Sequence, residues 1–302
     1  MASKKQTTPL AGSRRLRWML LAYIVLTASL CYVLILKGSV SAPPFAFSGW
    51  RTVTGGLAVL IFARSFGKPM LPEKRLWRWI PPVALTATTL TFGFMFLSPE
   101  FAGAGLASIL GNAQPLFIAL IAGYILGEGL SRTRLAGLIL GIVGIVIIVS
   151  PSFGGGSVDG VSLGTGLALL TSLSAAIGTV LARFLKLGHS LLAFTGWQLV
   201  LGGALLLVVS ALISEAPIVW SWKFTGILLF LAVFNTAVVT CAWFYLLQHE
   251  KAGKLGIYLF LTPVFGVLWA VVLGDEALSI FSLLGGLFVL AAVFLQESEG
   301  FL

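Results

Sequence analysis

The sequence is short of charge: Asp, Glu, Lys and Arg supply 10% of its 302 residues, where a soluble domain needs roughly a quarter to clothe its surface. That shortage excludes a water-soluble globular domain, and the 58% hydrophobic content excludes a disordered chain. Cysteine is scarce too. Only Cys31 and Cys241 occur, both inside apolar runs, which excludes a disulfide scaffold and reads as two small reduced core residues. Histidine is limited to His189 and His249, beside Lys186 and Lys251, and both read as interfacial polar residues. No His/Cys/Asp/Glu cluster has metal-ligand spacing, so the sequence offers no catalytic set, no metal site and no cofactor site.

What the sequence has in abundance is long apolar runs, with a mean hydropathy of +1.05. A hydrocarbon core about 30 Å thick needs about 20 apolar residues per helix. Ten segments meet that requirement, at 18–36, 46–63, 79–97, 102–126, 134–150, 161–182, 191–213, 225–247, 253–273 and 278–296. Glycine, proline or charge punctuates them, as at Ala42-Pro43-Pro44 and Glu215-Ala216-Pro217. The first run follows a basic leader but is too long for a signal-peptide core and has no small-residue cleavage site, so it reads as a retained helix.

The net charge of +9 is explained by position. Alternating sides across ten helices places Lys4, Lys5, Arg14, Arg15, Arg17, Arg64, Lys68, Lys74, Arg75, Arg78, Arg132, Arg134, Arg183, Lys186, Lys251 and Lys254 on one face, and only Lys37, Lys223 and Arg51 on the other. By the positive-inside rule, both termini are expected in the cytoplasm. The charge needs no nucleic acid to account for it; membrane lipids are the expected macromolecular surroundings.

The two halves of the chain resemble each other. Ala46-Phe47-Ser48-Gly49-Trp50 recurs as Ala193-Phe194-Thr195-Gly196-Trp197, 147 residues on. Glu100, Ala102 and Gly103 match Glu250, Ala252 and Gly253, while Pro115, Phe117, Glu128 and Gly137 match Pro263, Phe265, Glu276 and Gly285. Five crossings per half turn the second unit upside down relative to the first. The expectation is an all-α membrane protein of ten transmembrane helices in two inverted five-helix repeats. It divides as tail 1–17, first repeat 18–151, linker 152–160, second repeat 161–297 and tail 298–302. Inverted repeats are a common architecture of secondary transporters; a non-transporting scaffold or receptor-like bundle is the alternative.

These features resemble the drug/metabolite transporter superfamily, in particular the ten-helix EamA-type transporters. The resemblance spans about residues 18–297 and rests on the paired units, on Pro115 and Pro263, and on the endings Gly127-Glu128 and Asp275-Glu276. It also includes the start of the second helix, Phe47-Ser48-Gly49-Trp50-Arg51, although the second unit carries Gln198 where the first has Arg51. The resemblance implies export or exchange of small metabolites, with amino acids the first substrates to test and drugs, nucleosides or sugar derivatives as others.

None of the ten acidic residues lies near a helix midpoint, where proton-relay carboxylates usually sit. Facilitated diffusion or exchange by alternating access is therefore the expected mechanism, with proton coupling through a carboxylate at a cavity mouth, such as Glu100 or Glu276, as the alternative. A neutral pathway must recognise its small-molecule substrate with hydrogen bonds and aromatic faces. The expected central-cavity residues are Thr27, Tyr32, Thr88, Asn112, Gln114, Asn235, Trp243, Tyr258 and Thr262, the amides standing out because they are costly in lipid without partners. Thr91, Ser172, Ser174 and Thr236 lie at similar depths. Bonding between helices is the alternative role for the amides. Pro115 and Pro263 remove helix hydrogen bonds at matched positions and are the expected hinges. Gly137, Gly141 and Gly144 read as helix-packing residues, and Trp18, Trp77, Trp79, Trp220 and Trp222 as interfacial belts. The sequence leaves oligomeric state open.

Overall fold

The computed structural model describes residues 11–111, 113–129, 131–150, 158–274 and 280–298. Among them there is no strand, as the bilayer requires of segments that must satisfy every backbone group internally. Helices overlap all ten expected segments: α1 (Ala11–Ser39), α2 (Pro44–Ser65), α3 (Ile80–Ser98), α4 (in two pieces, 102–111 and Gln114–Leu126), α5 (Arg132–Val149), α6 (Val158–Phe184), α7 (Leu191–Leu212), α8 (Trp222–His249), α9 (252–274) and α10 (Ile280–Ser298). Among the described residues, five helices are long and apolar enough to cross a membrane by length and composition alone.

Local chemistry sets several boundaries. Pro44 occupies the first turn of α2, where its missing N–H costs nothing. Ser131 and Ser221 cap α5 and α8 by accepting from the amides of Arg134 and Phe224, at 3.0 and 3.1 Å. Gly127, with φ of +64°, ends α4 in the left-handed conformation that glycine adopts freely.

Backbone helicity continues through the α3–α4 junction, yet the chain reverses there. On α6, Gly178 abuts Ala87, while Ser172 donates to the carbonyls of Leu110 and Gly111. Six residues of α6 rise about 9 Å, whereas a straight helix from Ala87 to Leu110 would rise about 35 Å. Only an antiparallel return reconciles the two contacts. The same serine contact serves a second purpose. Pro115 lies in the first turn of the helix Gln114–Leu126, after a turn at Ala113. Pro115 has no N–H to offer the Gly111 carbonyl, the Leu110 carbonyl accepts from the Ala113 amide at 3.1 Å in a tightened turn, and Ser172 of α6 adds a donor to both from the side. In the second unit the matched helix α9 is likewise irregular, with a 3₁₀ stretch over Ile257–Phe260.

The two units are related by a pseudo-twofold axis across the helices. Gly49 and Gly56 of α2 have mates Gly196 and Gly203 on α7, and the contacts exchange them. A methyl built on Gly49 would lie 3.1 Å from the Gly203 oxygen, and one on Gly56 would lie 2.7 Å from the Gly196 oxygen. In α5 and α10, Gly137 meets the Ala292 carbonyl and Gly144 meets that of Gly285, again crossing mates with mates. Such antiparallel self-exchange is what an inverted repeat demands. It needs small residues because backbones touch. Gly141 of α5 instead receives the Phe260 ring. The third helix of each unit also carries a matched π-helical stretch, Ala84–Leu90 and Leu231–Val238.

Candidate functional site

The most unusual residue in the interior is Arg51. Counted by sequence among the residues near a membrane surface, its side chain is in fact 3% exposed. The apolar run of α2 begins one turn and a half before it, and the helix must pack its glycine face on α7, so Arg51 points into the bundle. Its Nε donates to Thr236 Oγ1 at 2.7 Å, Nη2 to Asn235 Oδ1 at 2.8 Å and Nη1 to Cys31 Sγ at 3.3 Å, and the guanidinium lies 5.0 Å from the Phe92 ring centre. None of these partners is a carboxylate. Placing an arginine at a helix centre in a bilayer costs about 2.5–3.5 kcal/mol even with relaxation, so the contacts offset a substantial penalty.

Asn235 and Thr236 sit on the π-helical stretch of α8, whose wider turn releases ordinary helix register. Asn235 also donates to the Thr27 carbonyl at 2.6 Å, joining α1, α2 and α8 in one network. Tyr23 adds a second α1–α8 bond, to the Phe234 carbonyl at 2.7 Å. The repeat-related copy of the Arg51–Thr236 contact lies on the opposite side of the α2–α7 crossing. There Thr88 Oγ1 donates to Gln198 Oε1 at 2.9 Å, with the π-helical stretch of α3 in the role of that of α8.

A second polar cluster forms around Thr179 of α6, a residue absent from the sequence-based expectation. Gln114 Nε2 and Trp243 Nε1 both donate to its hydroxyl, at 3.4 and 3.3 Å. Eight residues of α8 separate Trp243 from Asn235, about 12 Å along the helix.

One helical turn from Thr179 toward the basic end, Arg183 opens onto a cavity of about 840 Å³, also lined by Glu128, Lys186, His189, His249 and Lys251. Arg183 donates to the Leu247 carbonyl at 2.7 Å. Glu128 is buried, at 7% exposure. Its two oxygens accept the amides of Ala252 and Gly253, each at 3.0 Å, and so cap α9 from the other repeat. Glu215 does the same for α2, accepting the amides of Phe45 and Ala46 at 3.1 and 2.8 Å.

The remaining expected residues are distributed differently. Tyr258 is buried at the basic end of α9, where Arg17 donates to its hydroxyl at 2.6 Å and Trp18 meets its ring edge-on. Arg17 also pairs with Glu250 at 2.8 Å. Thr262 is buried in α9. Asn112 lies outside the described residues, as do the side chains of Tyr32 and Pro263. The structure thus brings Thr27 and Asn235 to the Arg51 network, Gln114 and Trp243 to Thr179, and Thr88 to Gln198. The missed signals were legible in part: Arg51 is the one basic residue within the apolar run of α2, and Gln198 is its repeat mate.

The chain matches the EamA-like transporter family twice, over residues 16–150 and 162–296. It belongs to that family. It is a multi-pass membrane transporter, and the EamA assignment accounts for a chain with no enzyme-like constellation in its sequence. An uncharacterized transporter of Synechocystis sp. is 31% identical, with 83% of this chain and 81% of the relative covered. A WAT1-related chloroplastic protein of Arabidopsis thaliana is 30% identical over 83% of this chain and 62% of its own length. A probable amino-acid metabolite efflux pump of Escherichia coli is 25% identical, covering 90% and 92%. A solved crystal structure superposes with a TM-score of 0.81 over 92% of this chain and 94% of the other, at 18% identity, which concerns the fold.

Proposed function

We propose that this EamA-like transporter moves small polar or amphipathic metabolites, amino acids foremost, out of the cytoplasm across the bacterial inner membrane by alternating access. Both termini are cytoplasmic in this reading, because the basic residues gather at the end where α1 begins. The observation that carries the proposal is the row of polar groups leading from the basic-end cavity, through Thr179, Gln114 and Trp243, to Asn235 and Arg51. Its setting supports the same reading: an inverted repeat supplies two related arrangements of one scaffold, each opening to one side. The name of the Escherichia coli relative favours amino acids.

Transport is uncoupled from protons in this account, since among the described residues the polar row contains no carboxylate beyond Glu128 at its mouth and Glu128 is committed to backbone amides. The test is flux in liposomes containing the purified full chain and a labelled panel of amino acids and other small metabolites. Saturable flux of a panel member, unchanged by an imposed pH gradient, is expected. No flux from folded protein sinks transport, and pH-driven accumulation sinks the uncoupled mechanism.

A further inference from the structure

We propose that Arg51 is the residue that recognises substrate charge, taking the carboxylate of a monoanionic or zwitterionic substrate inside the bundle. This inference rests on the transport reading above for its biological setting and on the Arg51 geometry for its chemistry. A guanidinium has five N–H donors. Three are directed at Thr236, Asn235 and Cys31, and none of these partners is a carboxylate. Among the described residues the ion pairs join Arg17 to Glu250 and Arg75 to Glu73, so no carboxylate pairs with Arg51 there, at 3% exposure. Two donors remain for a ligand, and a planar carboxylate accepts from a guanidinium in a bidentate fork.

The repeat supplies an internal control. At the matched position Gln198 bonds the matched threonine with the direction reversed, its Oε1 accepting from the Thr88 hydroxyl at 2.9 Å. A neutral amide therefore suffices to join these helices, and the charge at position 51 is surplus to that structural role. The entrance has the same sign. Arg183, Lys186 and Lys251 line the 840 Å³ cavity, while both oxygens of its one carboxylate, Glu128, are held by the amides of Ala252 and Gly253. An anion is thus drawn inward from the mouth and neutralised at Arg51. One guanidinium offsets the single negative charge of a carboxylate group, whereas a phosphate dianion places a second negative charge on the same group, more than one guanidinium offsets.

Two measurements on the purified full chain test the assignment. In detergent, melting temperature is recorded with each of the twenty L-amino acids, with benzoate, with the corresponding amides and with phenyl phosphate, against sodium chloride of equal ionic strength. The expected result is stabilisation by one or more carboxylates and not by their amides or by phenyl phosphate. Arg51→Gln should fold and melt near wild type in chloride, yet bind those carboxylates about 100-fold more weakly; Arg51→Lys should recover part of the loss. Equal stabilisation by acid and amide, an undiminished response in Arg51→Gln, or no carboxylate response at all overturns the assignment. Should Arg51→Gln fail to fold, the acid-versus-amide comparison on the wild type decides alone.

The same preparations in liposomes separate the two proposals. Carboxylate-specific binding without flux leaves Arg51 assigned and defeats transport. Flux of acid and amide at equal rates upholds transport and defeats the assignment.

Discussion

On one side of the pseudo-twofold axis Gln198 of α7 meets Thr88 of α3; on the other, Arg51 of α2 meets Thr236 of α8. The backbones around the two contacts are alike, down to a π-helical stretch beneath each threonine and glycines that exchange across the axis. The chemistry is not. The Arg51 side adds a charge and, at Asn235, an amide to receive it, where the matched residue near Thr88 is Ala87. Packing is thus symmetric while polarity is one-sided. Selection for helix packing alone would give no reason to keep a buried cation on one side and a neutral amide on the other.

The largest expected effect comes from making the sides equally charged. Gln198→Arg places a second cation against Thr88 with no amide at position 87, and should lose about 3 kcal/mol or more, read as collapse of monodisperse protein in detergent. A stable, wild-type-like Gln198→Arg protein would break the comparison. Next come the glycines of the crossing. Gly56→Val and Gly203→Val stand at related positions facing backbone at 2.7 and 2.8 Å, and each should cost about 2–3 kcal/mol. The two losses should agree in thermal melting, whereas Gly226→Ala, which meets nothing within 4 Å, should change little. Clearly unequal losses at positions 56 and 203 would contradict the twofold packing.

A smaller effect is expected at the repeat-to-repeat cap. Glu128→Ala removes both acceptors for Ala252 and Gly253 and should cost about 1–2 kcal/mol, with Glu128→Gln losing less. The smallest effect on stability is Trp243→Phe, about 1 kcal/mol for the bond to Thr179. Its effect on flux should exceed its effect on melting, because Thr179 and Trp243 lie on the proposed route. Equal flux in wild type and Trp243→Phe would remove that cluster from the pathway.

Much of the architecture was legible in sequence because a bilayer leaves a chain few options. Apolar length gives helices, and the recurrence of Phe-Ser-Gly-Trp as Phe-Thr-Gly-Trp gives the repeat. What escaped was what depends on three-dimensional convergence. Arg51 looked interfacial from its place near the start of α2, yet helix rotation against α7 turns it inward. Thr179 is one threonine among many apolar neighbours and gains meaning only where Gln114 and Trp243 reach it from other helices. The capping role of Glu128 is not visible in sequence because its partners, the Ala252 and Gly253 amides, are 124 and 125 residues away. The break before Pro115 was foreshadowed by the proline, but its satisfaction by Ser172 was not, since it requires knowing which face of α6 meets α4.

The most direct test of the central claim is counterflow. Liposomes holding the full chain are loaded with a high concentration of an unlabelled amino acid identified in the flux panel, then diluted into a trace of the labelled form. A carrier that opens to one side at a time, with the site built from both repeats, should drive the label transiently above its equilibrium level before it declines. A monotonic approach to equilibrium would mean a pore open to both sides, and would contradict alternating access.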